Sequence, residues 1–267
     1  EDQPIRSGEL PVVAKPTEEL SEPTEGGEFE ETSFSKWILP LSLFIATIFT
    51  TLWAGAYQAY SGPIRGPVNL LLEQPEVLWS GIPFAATLLT ILVTHEFGHY
   101  ALSRIHRVPA SLPLFLPGPP YFVGTFGAII RLRGPIVNRR ALFDIGVAGP
   151  LAGFIAAVVA LVIGLNLSTV VDRTGTHGLQ LGEPLLLQFI AWLVVGSIPP
   201  QADIVLHPVG FAAWFGLFVT SLNLIPIGQL DGGHVAYALW GKRQRTMAFI
   251  MVPILIVLGY VGWPGWW

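Results

Sequence analysis

The chain has 267 residues, of which 52% are apolar and only 12% charged, about half the charged share of an average soluble domain. That balance excludes a disordered protein and a nucleic-acid binder, and it argues against an ordinary cytosolic enzyme. Cysteine is absent, which removes disulfides, thiolate metal sites and a cysteine nucleophile from consideration.

Residues 1–36 carry ten acidic and three basic side chains, whereas 37–267 carry eight acidic and eleven basic ones. The first stretch is rich in Glu, Pro, Ser, Thr and Gly and reads as an acidic flexible tail, too polar to bury a core. The sequence opens on Glu1 in place of Met and is read as a processed chain or an excerpt.

From residue 37 to 267 the composition predicts one membrane-embedded domain. Uncharged runs cover 37–60 (24 residues), 77–94 (18), 145–171 (27), 204–230 (27) and 246–267 (22). A helix needs about 20 such residues to cross a bilayer, so about five transmembrane helices are expected. The strongly apolar run 185–198 has only 14 residues and is expected to be re-entrant or to lie in the interface. Between the second and third runs, residues 121–133 are β-branched and aromatic with interspersed glycines, the pattern of a short strand or hairpin. Pro113, Pro117, Pro119 and Pro120 exclude a helix just before it. The expected fold class is therefore an all-α polytopic membrane protein with one small β element.

Basic residues concentrate in two loops: Arg104, Arg107, Arg131, Arg133, Arg139 and Arg140 in the first, and Lys242, Arg243 and Arg245 in the second. The positive-inside rule puts both on the cytoplasmic side, or the stromal side in a plastid. With that orientation, Asp231 reaches the same half of the membrane as residues 95–99 only if 172–207 begins and ends on the outer side.

The second apolar run continues into His95-Glu96-Phe97-Gly98-His99. On a helix His99 lies about 40° from His95 and Glu96 about 100° from it, so the three share a face. Two imidazoles one turn apart can clamp a zinc ion, with the Glu aimed at a water beside it. Two His and a Glu at the end of an apolar helix are costly at membrane depth unless they ligate or pair. Gly98, on the side away from Glu96, would let another backbone approach.

A catalytic zinc site takes a third protein ligand. The available side chains are Asp144, Asp203, Asp231, His106, His177, His207 and His234. Asp231 stands out because it closes the apolar run 204–230, where Pro226, Gly228, Gly232 and Gly233 loosen the helix. Irregular backbone at that depth is tolerated when it is buried in protein or lines a watery cavity. Asp231 is read as the third ligand, or else as the cap of a helix at 234–241. Of the other residues, His106 reads as a surface residue, His177 as a turn residue, His207 as interfacial and His234 as a neighbour of the metal ligands. The small-residue run from Gly146 to Gly153 reads as close helix packing, and the segment Trp263 to Trp267 as an interfacial anchor.

The motif His-Glu-Phe-Gly-His, followed by Asn223-x-x-Pro226-x-x-x-Leu230-Asp231-Gly232 in a later run, resembles the site-2 protease family of intramembrane zinc metalloproteases. The likeness covers about 80–241 and includes the glycine-rich start of the third run. The compact bacterial, cyanobacterial and plastid branch is the most similar. It implies one zinc ion held by His95, His99 and Asp231, with Glu96 as catalytic base. It also implies that Asn223 holds substrate backbone; on its own, Asn223 reads equally well as a helix–helix hydrogen-bond residue. The implied partners are locally unwound transmembrane segments of other proteins within the lipid bilayer, cleaved in regulated intramembrane proteolysis.

The segment 124–132 is expected to be an edge strand that pairs with such a substrate, Gly124 and Gly127 letting its backbone approach; the alternative is a self-paired hairpin. A prenyl-protein-processing type of zinc protease would draw its third ligand from a downstream Glu. The only one, Glu183, falls on the far side by the charge rule. A catalytically silent zinc-binding scaffold or transporter is the reading from another functional class.

Overall fold

In a computed structural model, residues 35–60, 62, 66–130, 138–172 and 181–261 are described. Nearly all of the acidic tail, Arg131, Arg133, His177 and the segment Trp263 to Trp267 lie outside the described residues.

The chain is mostly helical. Helix α1 covers Ser35–Ala59 and α2 Pro67–Glu73, and a 3-10 segment at Pro75–Gly81 leads into α3, Ile82–Ile105. Strands β1 (Leu114–Pro117) and β2 (Thr125–Ile129) precede α4, Arg139–Asn166. Strand β3 (Thr169–Asp172), α5 (Leu185–Val194) and β4 (Ala202–Val205) then lead to α6, Pro208–Asn223. Helix α7 (Asp231–Trp240) continues through a short 3-10 turn into α8, Gln244–Val261.

Among the described residues, four helical stretches are long and apolar enough to cross a membrane: Trp37–Ala59, Pro75–Ile105, Arg139–Asn166 and Asp231–Val261. This corrects the expected five. The run 204–230 is not one long helix. Its first residues belong to β4, and Pro208 opens α6 behind His207, whose ring nitrogen accepts the Val209 amide at 3.3 Å. The helix ends at Asn223, and a non-helical loop takes the residues up to Asp231. The helix that remains has 16 residues, about 24 Å long. Hydropathy alone cannot separate helix from strand and loop in an evenly apolar run.

The fold is also not purely helical. Two small antiparallel sheets are present. β2 lies inside the stretch expected to be a strand, but its partner is the proline-rich segment upstream, with Phe115 opposite Ala128. Phe115 is buried and packs its ring, tilted by 56°, against Phe44 of α1 with centroids 4.8 Å apart, so this ribbon is fixed to the first helix.

The second sheet decides the path of the short apolar segment. Asp172 is the register partner of Ala202, so the excursion between them starts and finishes at one place. Helix α5 has ten residues, about 15 Å, half the hydrocarbon thickness of a bilayer. As a single helix it is too short to cross.

Helices α3, α4 and α6 form the centre. Phe84, Leu88 and Leu92 of α3 cluster with Trp214 and Phe215 of α6. Leu161 and Leu165 of α4 cluster with Ala213 of α6 and Ile190 and Ala191 of α5. The outward faces stay apolar, as at Phe97, Ile155 and Phe249, which suits a lipid surround and would be unusual against water. The end of α3, the start of α4 and the end of α7 meet at one end of the molecule, where the guanidinium of Arg139 lies against Gly241.

Candidate active site

His95, Glu96 and His99 are all buried on the last three turns of α3. Their neighbours on the helix show why the spacing works. Phe97 points outward, while a side chain at Gly98 would run into the carbonyl of Ala148, so α4 crosses there at backbone distance. The two imidazoles face α4 where it has no side chains. A Cβ at Gly149 would overlap the ring of His99, and one at Gly153 would sit 3.0 Å from His95 Cβ and Nδ1. The glycine run expected to serve helix packing thus makes room for the two rings.

Asp231 arrives from the other side. Helix α6 ends at Asn223, and the loop that follows turns through Gly228, whose φ is +55°. A Cβ at Gly232 or Gly233 would collide with the carbonyls of Leu224 and Gly228, so the first turn of α7 lies directly on this loop. Asp231 is the first residue of α7 and not its cap, a position held by Leu230. Its carboxylate is free to reach α3, with Oδ2 3.2 Å from His95 Nε2 and Oδ1 3.3 Å from His99 Nε2.

The two Nε2 atoms lie 3.2 Å apart. The donors of all three residues fall within 4.8 Å of one another. His99 Nδ1 donates to the Ile145 carbonyl at 2.7 Å. A carbonyl can only accept, so the proton of a neutral His99 is on Nδ1 and Nε2 presents a lone pair. Two nitrogen donors and a carboxylate at these separations can enclose a cation. Ligands about 2.0–2.1 Å from a tetrahedral zinc stand about 3.3 Å from each other. The donor set fits zinc in type, number and spacing, and the His99–carbonyl bond is the orienting contact such ligands commonly make.

Beside His95 and Glu96 is a cavity of about 70 Å³, reached by Phe126, Gly127 and Ala128 of β2 and by Gly216, Thr220 and Asn223 of α6. Gly127 has φ +96° and open space where a side chain would be; Gly124, with φ +77°, sits instead against the backbone of Thr50 and Thr51 in α1. The Thr50 hydroxyl donates to the Gly124 carbonyl at 2.5 Å. Of the residues expected to meet substrate, Asn223 and Gly127 border this cavity, and Gly124 anchors the strand to the first helix.

The remaining ligand candidates lie elsewhere. Asp144 accepts from His106 Nε2 at 2.8 Å, a pair that ties the end of α3 to the first turns of α4 one residue before Ile145. His207 caps α6, and Asp203 lies in β4. His234 lies near Gly146 of α4.

Among the described residues, Asp231 is the carboxylate grouped with His95 and His99, so Asp231→Ala carries a sharp expectation. Zinc affinity should fall by at least about 10-fold, the scale of loss seen even when an outer partner is removed. Elemental analysis after dialysis reads it, and full occupancy in the variant would relocate the third ligand.

Residues 83–260 match the model of peptidase family M50. The chain is 31% identical over 231 residues to the probable chloroplast zinc metalloprotease EGY2 of Arabidopsis thaliana, covering 84% of this chain and 39% of that protein. It is 29% identical over 252 residues to the probable chloroplast zinc metalloprotease EGY1 of the same plant, covering 87% and 45%. The rice EGY1 is likewise 29% identical, over 253 residues, 87% of this chain and 43% of the relative. The chain spans less than half the length of these relatives. With the His–His–Asp cluster in place and the family match running from α3 into α8, the chain belongs to peptidase family M50, the site-2 protease family of zinc metalloproteases.

Proposed function

We propose that this chain is the catalytic core of an intramembrane zinc metalloendopeptidase that cleaves locally unwound transmembrane segments. The convergence of His95, His99 and Asp231 beside Glu96 and an apolar-walled cavity supports this most directly. One zinc ion per chain would be held by those three side chains and would supply Lewis acidity toward a peptide carbonyl and toward water.

Glu96 is the proton carrier. Its position beside His95 at the cavity lets it take a proton from an attacking water and pass it to the leaving amine. Asn223, across the cavity on α6, is placed to hydrogen-bond a substrate peptide group. β2 offers an edge to which an extended segment can add, with Gly127 leaving space for its backbone. An intact helix has its peptide groups bonded and shielded, so the substrate has to unwind first.

Consecutive N–H groups of a strand point to opposite edges, so proline at 128 and proline at 129 act on different sides. The variant that removes the outward N–H should lower cleavage while zinc content stays unchanged. Unchanged cleavage in both would remove the strand from substrate handling.

The membrane is a plastid or bacterial one in this reading, with the site toward the stromal or cytoplasmic half, as the basic residues at the α3–α4 and α7 ends favour. The chloroplast relatives lend weight to the plastid. Regulated release of anchored proteins and clearance of membrane remnants are the roles such an activity serves. Co-expression with candidate single-span proteins tests the proposal. Fragments that appear with the native chain and not with Glu96→Gln support it, and fragments independent of Glu96 count against it. A silent zinc-binding scaffold would yield no fragments with either chain.

A further inference from the structure

The cavity beside Glu96 is small for a substrate site, about 70 Å³, where pockets for whole ligands run to hundreds. Its position is specific: His95 and Glu96 form one wall and Gly127 and Ala128 of the β2 edge another. A substrate strand lying along β2 with its scissile peptide at Glu96 must direct one of the two flanking side chains into this space.

The floor cannot deepen. Ile91 is 2% exposed, and α6 approaches it so closely that a Cβ on Gly216 would stand 2.9 Å from Ile91 Cδ1 and 3.0 Å from Cγ2. Away from His95, Glu96 and Asn223, the lining offers little to grip a polar group. The Thr220 hydroxyl is already donating to the Gly216 carbonyl at 2.8 Å, and Leu92 and Val219 complete the wall.

We infer that this cavity is the subsite for a side chain flanking the scissile bond and that Ile91 and Gly216 limit it to Gly, Ala or Ser. The inference rests on the protease reading and deepens it by naming a sequence class of substrate. A close-packed wall resists larger groups because neighbours leave their rotamers to admit them. One methylene too many commonly changes kcat/KM by about 10–200-fold.

The test uses the full chain purified in detergent and synthetic transmembrane peptides that share one Glu96-dependent cut, mapped by mass. Peptides carrying Gly, Ala, Ser, Val, Leu or Phe at each flanking position are compared by kcat/KM. At one of the two positions Ala and Ser should exceed Leu and Phe by at least about 10-fold. Ile91→Val should raise the Leu-to-Ala ratio, and Gly216→Ala should move preference from Ala toward Gly. Ile91→Val only removes a methylene and meets no clash, so it guards against a result spoiled by the contact that Gly216→Ala makes with Ile91; unchanged zinc content in each variant confirms an intact site. Equal cleavage of Ala and Leu peptides by the native chain, or ratios unmoved in both variants, overturns the subsite. Absence of any Glu96-dependent cleavage overturns the protease reading and the subsite with it, and is thereby distinguished from loss of the subsite alone.

Discussion

Glu96→Gln is expected to remove nearly all peptide hydrolysis while leaving zinc bound. The amide has almost the same volume as the carboxylate and lines the same cavity, but it cannot take a proton from water. General acid–base groups of this kind contribute about 10²–10⁴-fold, so a rate reduction of about 10³-fold or more is expected. None of the three metal-binding side chains is altered, and zinc content by elemental analysis should match the native chain. A variant that cleaves at more than a tenth of the native rate would take the proton-transfer role away from Glu96. A variant that loses its zinc would show that Glu96 supports the metal set.

The second large effect is expected at a residue with no chemistry of its own. Gly149 lies in the middle of α4, where alanine favours the helix by about 1 kcal/mol over glycine. Yet a methyl group there would occupy the space of the His99 ring. Gly149→Ala should therefore hold its helix and lose its metal. The ring would have to leave its rotamer and give up its bond to the Ile145 carbonyl, and a zinc affinity loss of about 10²-fold is expected from losses of this kind. Gly146→Ala is the control. Its Cβ would press on Val235 Cγ2 at 3.1 Å, which a small adjustment relieves, and would stand at ordinary contact distance, 3.6 Å, from the Asp231 carbonyl and His234 Cβ. Measured by competition with a chelator, equal affinity in Gly149→Ala and the native chain would mean that His99 can bind metal from a second rotamer.

These two residues mark what a sequence can and cannot disclose about this site. His95, Glu96 and His99 are legible because helical geometry converts their spacing into a shared face. Asp231 is legible because a carboxylate after 27 uncharged residues has few inexpensive reasons to be there. The Ile145 carbonyl that orients His99 belongs to the backbone and leaves no trace in residue type. Gly149 and Gly153 signal close approach, but nothing local says that the approaching groups are imidazoles from a helix about 50 residues earlier in the chain. The pairing of His106 with Asp144 is hidden for the same reason, since each alone resembles a surface residue in a basic loop.

The architecture divides along similar lines. The existence of α1, α3 and α4 follows from uninterrupted apolar runs; the ends agree closely only for α1, since α3 continues past the uncharged run to Ile105 and α4 begins before it at Arg139. The run containing α6 misleads because Val, Ile and Leu suit a strand, a helix and a buried loop alike; only Pro208 and Pro226 hint at where the helix fits. The strand at Thr125–Ile129 follows from composition, but its partner lies across a proline-rich turn whose register no local pattern encodes. Charge parity asks that the excursion after Asp172 end on the side where it starts, and the pairing of Asp172 with Ala202 brings its two ends together.

The position of the cut within a substrate tests the central claim most directly. A single-span protein cleaved on co-expression is to be re-cleaved by the purified chain, and the new termini read by mass spectrometry, with Glu96→Gln and a zinc-chelated sample in parallel. The expected result is one cut inside the apolar segment, toward the end that faces the basic loops, abolished by the substitution and by chelation and restored by zinc. Cuts confined to the soluble flanks, or cuts that survive both treatments, would contradict an intramembrane zinc protease built on His95, Glu96, His99 and Asp231.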